Sequence, residues 1–273
     1  MNLNLQPINI YMISYFFDDT IIDVISAIHK YTKHPVRIIV GDNYSKNSEK
    51  IRSQLNELLE NNLIYAAYFY ENNHGTKIIP HMFQSEHTKY DTPISSYTIV
   101  SDGDCLLSDS TKDCWLTDFI NEFNTDNGIG IIGFQTKNDS LPDSIYNLKN
   151  SSSRFIENPD FTFKNFSSKE ISDVQVPPCR GHLLTINTDL FKKYLIECPN
   201  GVYDGDLQKF ASKNNYSVSQ YYKTYTYNLG TVKGGYDIDG LSEKYKFEKE
   251  YRENRIINWQ ALPYPKNYTR IKK

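Results

Sequence analysis

The sequence predicts an α/β protein: a mostly parallel central sheet flanked by helices, in a single domain. Two patterns predict it. Runs rich in Ile, Val and aromatics alternate with segments whose apolar residues recur at helical spacing through roughly the first hundred residues. These runs also stop abruptly at polar residues, most sharply where Tyr97-Thr98-Ile99-Val100-Ser101 meets Asp102-Gly103-Asp104. Strand–helix alternation with short connections makes right-handed βαβ units, and so parallel pairing.

The elements follow in order. Ile8 to Tyr15 is the first strand. Asp18 or Asp19 caps a helix carrying Ile21, Ile22, Ile25 and Ile28. Val36 to Val40 is a second strand ending at Gly41-Asp42, and Ser45 or Ser48 opens a helix with Ile51, Leu55, Leu58 and Leu59. Ile64 to Tyr70 is a third strand, ending at Glu71-Asn72-Asn73. A helix lies between Gly75 and about Tyr90, and the fourth strand ends at Asp102. Tyr15, Asp42, Asn72 and Asp102 then share one carboxyl edge, where open α/β sheets bind their ligands.

Beyond residue 110, positions 113–124 read as helix and Gly128 to Phe134 as a buried strand. The polar stretch 138–178, closed by Pro177-Pro178, reads as a long loop or lid. Gly181 to Asn187 is a strand, Thr188 caps a helix to about Ile196, and Asp204 to Ser212 is another helix. Ser217 to Tyr227 alternates like an exposed or edge strand. The basic, aromatic tail from Lys266 to Lys273 reads as a solvated, frayed terminus.

Composition excludes several classes. A length of 273 residues with 39% hydrophobic and 23% charged side chains is globular and allows a substantial core. A net charge of −3 gives no basic field to recruit nucleic acid. Cys105, Cys114, Cys179 and Cys198 form no C-x-x-C pair, so neither a zinc pattern nor a disulfide framework is present, and reduced thiols in the cytoplasm are expected. There is no signal-peptide pattern and no apolar run near the ~20 residues that span a bilayer, so any membrane contact is expected to be peripheral. The 22 tyrosines and 14 phenylalanines fit either AT-rich codon usage or surfaces for stacking sugars and bases.

Asp102 and Asp104 carry the chemistry. Two close carboxylates with no cationic neighbour suit a hard divalent cation, and a cation at this edge implies a bound phosphate. Asp-Gly is also common in solvated turns; the preceding buried strand and the companion residues on the same edge favour the metal. Taken in chain order, Ile13-Ser14-Tyr15, Gly41-Asp42-Asn43-Tyr44-Ser45, Ser101-Asp102-Gly103-Asp104 and Tyr203-Asp204-Gly205-Asp206-Leu207 resemble the motifs of family 2 glycosyltransferases of the GT-A fold, over roughly residues 8–230. The last corresponds to that family's Glu-Asp-x-Asp-Leu block, with Tyr203 where Glu is usual.

The resemblance implies a nucleotide-sugar half (residues 1–110), an acceptor half (111–273) and Mg²⁺ or Mn²⁺ as cofactor. It also implies a nucleotide-diphosphate sugar donor, UDP-linked above all, and a glycan or lipid-linked acceptor in bacterial surface polysaccharide synthesis. Asp104 would hold the metal, with Asp102 on the metal, its water or the ribose. Gly103 would let the donor approach the backbone. Asp42 would accept from a base N–H, though Asp-Asn-x-Ser is also good capping chemistry. Ser14, Tyr15 and Asn72 complete the donor side.

Asp204 would be the general base that takes the acceptor hydroxyl's proton, and is equally placed to cap its helix. Arg180 and His182 are weaker candidates for acceptor or phosphate binding, and Asn228 stands where the family often has a third, histidine, metal ligand. The inverting reading rests on the 203–207 block. A retaining transferase shares Asp-x-Asp, and a non-catalytic carbohydrate-binding protein on the same fold is the alternative outside enzymes. A nucleotidyltransferase needs a glycine-rich loop where Ser14-Tyr15-Phe16-Phe17-Asp18 stands.

Overall fold

The structure, a computed structural model, describes residues 6–15, 20–45, 48–112, 114–137, 156, 159–173, 178–199, 201–202, 204–228 and 264–273. Its first part is the expected alternation: β1 (Ile8–Ser14), α1 (Ile21–Tyr31), β2 (Val36–Asp42), α2 (Ser48–Glu60), β3 (Ala66–Tyr70), a 3₁₀ turn (Gly75–Lys77), α3 (Ile78–Thr88) and β4 (Tyr97–Asp102). These strands pair in parallel in the order β3-β2-β1-β4. Side chains alternate across each strand. In β1, Ile8, Ile10 and Met12 therefore pack on one face with α1 and α2, while Tyr11 and Ile13 pack on the other with α3. The expected caps at Asp18 and Asp19 lie outside the described residues; Thr20 precedes α1 and makes no side-chain cap bond.

The second part extends the same sheet. It comprises β5 (Cys105–Leu107), α4 (Trp115–Thr125), β6 (Ile129–Lys137), β7 (Phe163–Phe166), α5 (Ser168–Asp173), β8 (Leu184–Asn187), α6 (Thr188–Glu197), α7 (Asp204–Lys213), β9 (Ser217–Asn228) and β10 (Tyr268–Ile271). The full order is β10-β3-β2-β1-β4-β8-β6-β9-β5, with β7 also on β9. Beyond β4 the sheet is mixed, β8 running antiparallel to both β4 and β6. Helix α4 covers one face through Trp115, Phe119 and Phe123; α6 and α7 cover the other through Leu190, Phe191, Leu207 and Phe210.

Four expectations are corrected. The polar stretch 138–178 includes β7 and α5, whose pairing with β9 and packing on α7 no local pattern announces. Asn187, not Thr188, caps α6, its side chain accepting from the N–H groups of Asp189 and Leu190, while Thr188 bonds Thr98 at 2.9 Å. Strand β9 is interior, between β6 and β5; its polar residues Ser219, Gln220, Thr224 and Thr226 are buried rather than solvated. The chain's last residues are not frayed: β10 pairs antiparallel with β3.

That last strand is fixed by a buried charge. Glu86 of α3 is fully buried. Arg270 donates to it through Nε at 2.7 Å and Nη2 at 3.0 Å, Tyr68 at 2.7 Å and Thr92 at 2.5 Å. Burial pushes the Glu86 carboxyl up; the guanidinium and the two hydroxyls outweigh it and hold the group below the usual carboxylate range. Arg270 also lies 3.9 Å over the Tyr90 ring.

Arg270→Ala would strand the carboxylate, and breaking a buried pair this way costs about 3–5 kcal/mol. We expect a lower urea midpoint at neutral pH. Because the folded-state pKa of Glu86 is depressed, its contribution is present above the ordinary carboxylate value and fades as pH falls through the lowered one. The gap between wild type and variant should therefore close in acid.

Candidate active site

The carboxyl edge of the parallel block is tied together by one buried amide. The Asn43 N–H donates to the Ser14 carbonyl at 2.8 Å. Its side chain donates to Asn73 Oδ1 at 3.0 Å and the Gly75 carbonyl at 3.2 Å, and accepts from the His74 N–H at 2.8 Å. The exits of β1, β2 and β3 are thereby locked to one another. Asp42 sits opposite Ser14 in register, buried, and accepts from the Ser45 hydroxyl; burial pushes its carboxyl up against the pull of Ser45. Ser14 is fully buried and its Oγ meets no hydrogen-bond partner among the described residues. Tyr15 follows it, half-buried. Asn72 lies exposed in a bend, and its neighbours Asn73 and His74 are the residues that join Asn43.

The Asp102-Gly103-Asp104 turn passes hard against β1. A Cβ on Gly103 would lie 2.7 Å from the Ile13 carbonyl oxygen, so no other residue fits without moving the backbone. Asp102 is partly exposed and Asp104 buried. Around them the fold gathers Cys105 and His182, one ligand atom from each of the four residues lying within 4.8 Å of the others. His182 is buried, its Nδ1 2.9 Å from Thr226 Oγ1 and 3.4 Å from Thr136 Oγ1. Burial pushes this imidazole down to about 4 against the opposing pull of Asp104, leaving it neutral at neutral pH. Burial and the two carboxylates push the Cys105 thiol well up. Asn228 stands opposite Cys105 in the β5–β9 register; the histidine that reaches the carboxylates is His182.

The segment 178–183 connects this cluster to Asp204. Gln208 of α7 accepts from the Cys179 N–H at 3.1 Å and donates to the Cys179 carbonyl at 2.7 Å and the Asp204 carbonyl at 2.9 Å. Gln220 holds the Pro178 carbonyl at 2.8 Å. The segment turns into β8 through Leu183, whose φ of +50° is left-handed, a strain of about 1–3 kcal/mol; its N–H donates to Ser101 Oγ at 3.2 Å. Between these anchors the Gly181 carbonyl accepts from the Asp102 N–H at 3.0 Å.

Asp204 opens α7 and accepts from the Gly205 N–H at 2.7 Å. Burial pushes its carboxyl up, opposed by the N–H groups of Gly205 and Gly181 and by the Arg180 charge. Asp102 and Asp204 both line a cleft of about 190 Å³, walled by Ile13, Thr76, Leu184 and Val202.

Solved structures share this architecture. Mannosyltransferase PcManGT from Pyrobaculum calidifontis, in complex with GDP-Man and Mn²⁺, superposes with a TM-score of 0.54 at 11% identity, over 84% of this chain and 58% of that one. GalNAc-T7 with UDP, GalNAc and Mn²⁺ gives 0.52 at 15% identity, over 97% and 53%. S. aureus TarS 1-349 with UDP gives 0.50 at 13%, over 81% and 60%. The fold is GT-A.

No family model matches the sequence. The uncharacterized protein L137 of Acanthamoeba polyphaga mimivirus is 26% identical over 140 residues, which is 50% of this chain and 19% of that protein. The chain thus spans under two thirds of each of these relatives. Among the described residues no helix is long and apolar enough to cross a membrane. In this GT-A chain, Thr76, Val202 and Gln208 reach the site from distant segments, and nothing local in the sequence marks them. Cys105 was legible only as the residue after Asp104.

Gly103→Ala should shift the turn bearing both carboxylates. Overpacking of this kind costs about 1–3 kcal/mol, so we expect a lower melting temperature in calorimetry, while alanine at exposed Asn72 leaves it unchanged.

Proposed function

We propose that this chain is a metal-dependent inverting glycosyltransferase, moving a sugar from a nucleotide-diphosphate donor to a hydroxyl of a glycan or lipid-linked acceptor. One observation carries the reading: Asp102 and Asp204, from opposite halves of the chain, face one cleft at the carboxyl edge of a GT-A sheet. The GT-A structures cited above hold UDP, GDP-Man and Mn²⁺, which supports a nucleotide-sugar donor, UDP-linked above all, and a divalent cation.

The donor set fits such a cation: two carboxylates, one of them buried, with a neutral imidazole beside them. Asp104 and Asp102 would hold it, and Mg²⁺ or Mn²⁺ there would offset charge on the departing diphosphate. Asp42, Ser14, Tyr15 and Asn72 are assigned to the nucleoside, and Gly103 to close approach of the diphosphate. On the acceptor side, Asp204 takes the hydroxyl proton as that oxygen bonds the anomeric carbon and the bond to the diphosphate oxygen breaks. Its upward shift brings the base nearer to neutral pH, where proton transfer is more effective. Arg180, whose charge reaches Asp204, is assigned to the acceptor. Residues 1–110 form the donor half and 111–273 the acceptor half. Surface polysaccharide synthesis in the cytoplasm, with at most peripheral membrane contact, is the proposed setting.

Two variants test this. Asp104→Ala should abolish the thermal shift that UDP compounds give with Mn²⁺. Asp204→Asn should keep that shift and lose transfer by at least about a hundredfold, within the range general-base catalysis contributes. Full turnover by Asp204→Asn rejects the base, and retained anomeric configuration in the product rejects inversion. In the wild type, kcat should fall as pH drops through the raised pKa of Asp204, since only the carboxylate accepts a proton.

A further inference from the structure

We infer that the centre at Asp102 and Asp104 takes nitrogen and sulfur ligands as well as oxygen, and therefore binds Co²⁺ or Zn²⁺ in preference to Mg²⁺. The inference rests on the transferase reading only in placing a cation at this pair. Four ligand atoms, from Asp102, Asp104, Cys105 and His182, lie within 4.8 Å of one another. Ligands at about 2.0–2.3 Å from one ion lie at most about 4.6 Å apart, so small side-chain adjustments would close the four atoms on a single cation.

His182 is built for the role. It is 3% exposed, and its Nδ1 is engaged by Thr226 from β9. A cation on Nε2 would select the tautomer in which Nδ1–H donates to that hydroxyl and the lone pair resides on Nε2. Ligating histidines are commonly oriented by such an outer partner.

The Cys105 side chain is fully buried, and its Sγ lies 3.5 Å from Asp104 Oδ1. Coordination would release the thiol proton to solvent and leave the sulfur's electron pair on the metal. Mg²⁺ demands near-octahedral oxygen ligation and dehydrates reluctantly, whereas imidazole and thiolate suit later first-row metals.

Titration of the full chain with Co²⁺ tests this. We expect visible ligand-field bands together with a near-ultraviolet sulfur-to-cobalt charge-transfer band, and no displacement by a large excess of Mg²⁺. Cys105→Ser should lose the charge-transfer band and keep the ligand-field bands. Thr226→Val, which preserves shape, should weaken Co²⁺ binding by about 10–100-fold, the usual effect of removing an outer partner. Circular dichroism establishes that each variant folds, and Thr226→Val decides if Cys105→Ser does not.

Bands without charge transfer, a charge-transfer band unchanged in Cys105→Ser, or displacement by Mg²⁺ at comparable concentration would each overturn the inference. UDP binding measured on the same samples separates the two readings. Intact spectra without nucleotide binding reject the transferase and keep the mixed donor set. Nucleotide binding without charge transfer does the reverse.

Discussion

The site hangs on the backbone of a single glycine. The Gly181 carbonyl accepts the Asp102 N–H at 3.0 Å, and its own N–H faces the Asp204 carboxylate. A Cβ there would press to 3.0 Å from Asp102 Oδ2. One residue thus spaces the carboxylate of the donor half from that of the acceptor half. A hydrogen bond to a charged group contributes about 1.5–3 kcal/mol, enough to make this spacing a property of the fold rather than of a bound substrate.

Everything around that glycine keeps it still. Gln208 binds both polar atoms of the Cys179 backbone and the Asp204 carbonyl, so the start of α7 and the 178–183 segment move as a unit. Leu183 accepts a left-handed turn to bring His182 to Asp102 and Asp104. Such strain persists only where surrounding contacts over-determine it, and the Ser101 hydroxyl on its N–H is one of them. Preorganisation of this kind lets buried dipoles act on developing charge without rearranging during reaction.

The far edge of the sheet shows the same physics used for stability. A buried carboxylate costs several kcal/mol to desolvate. Glu86 offsets this by accepting from a bidentate guanidinium and two hydroxyls, and the arrangement fixes β10 as an edge strand. Read locally, this basic, aromatic tail is a solvated, frayed terminus. Its partner lies 184 positions away, beyond any local signal.

Periodicity and turn chemistry by themselves determined the parallel block. Ile8 to Asp102 alternates apolar strands with amphipathic helices, and in a parallel sheet strand ends must share an edge, which places Ser14, Asp42 and Asp102 together. Local pattern also marked Asp204 at a helix start. Tertiary structure alone decided what joins them. The polar strand β9 reads as exposed by composition yet is buried, because Thr224 meets Thr111, Thr226 meets Thr136 and His182, and Gln220 holds the Pro178 carbonyl. His182 meets Asp104 only because β8 runs antiparallel to β4, and no spacing along the chain encodes that antiparallel pairing. Local sequence dictates elements through short-range sterics and burial, whereas the site depends on long-range pairings whose energy exists only once the sheet has closed.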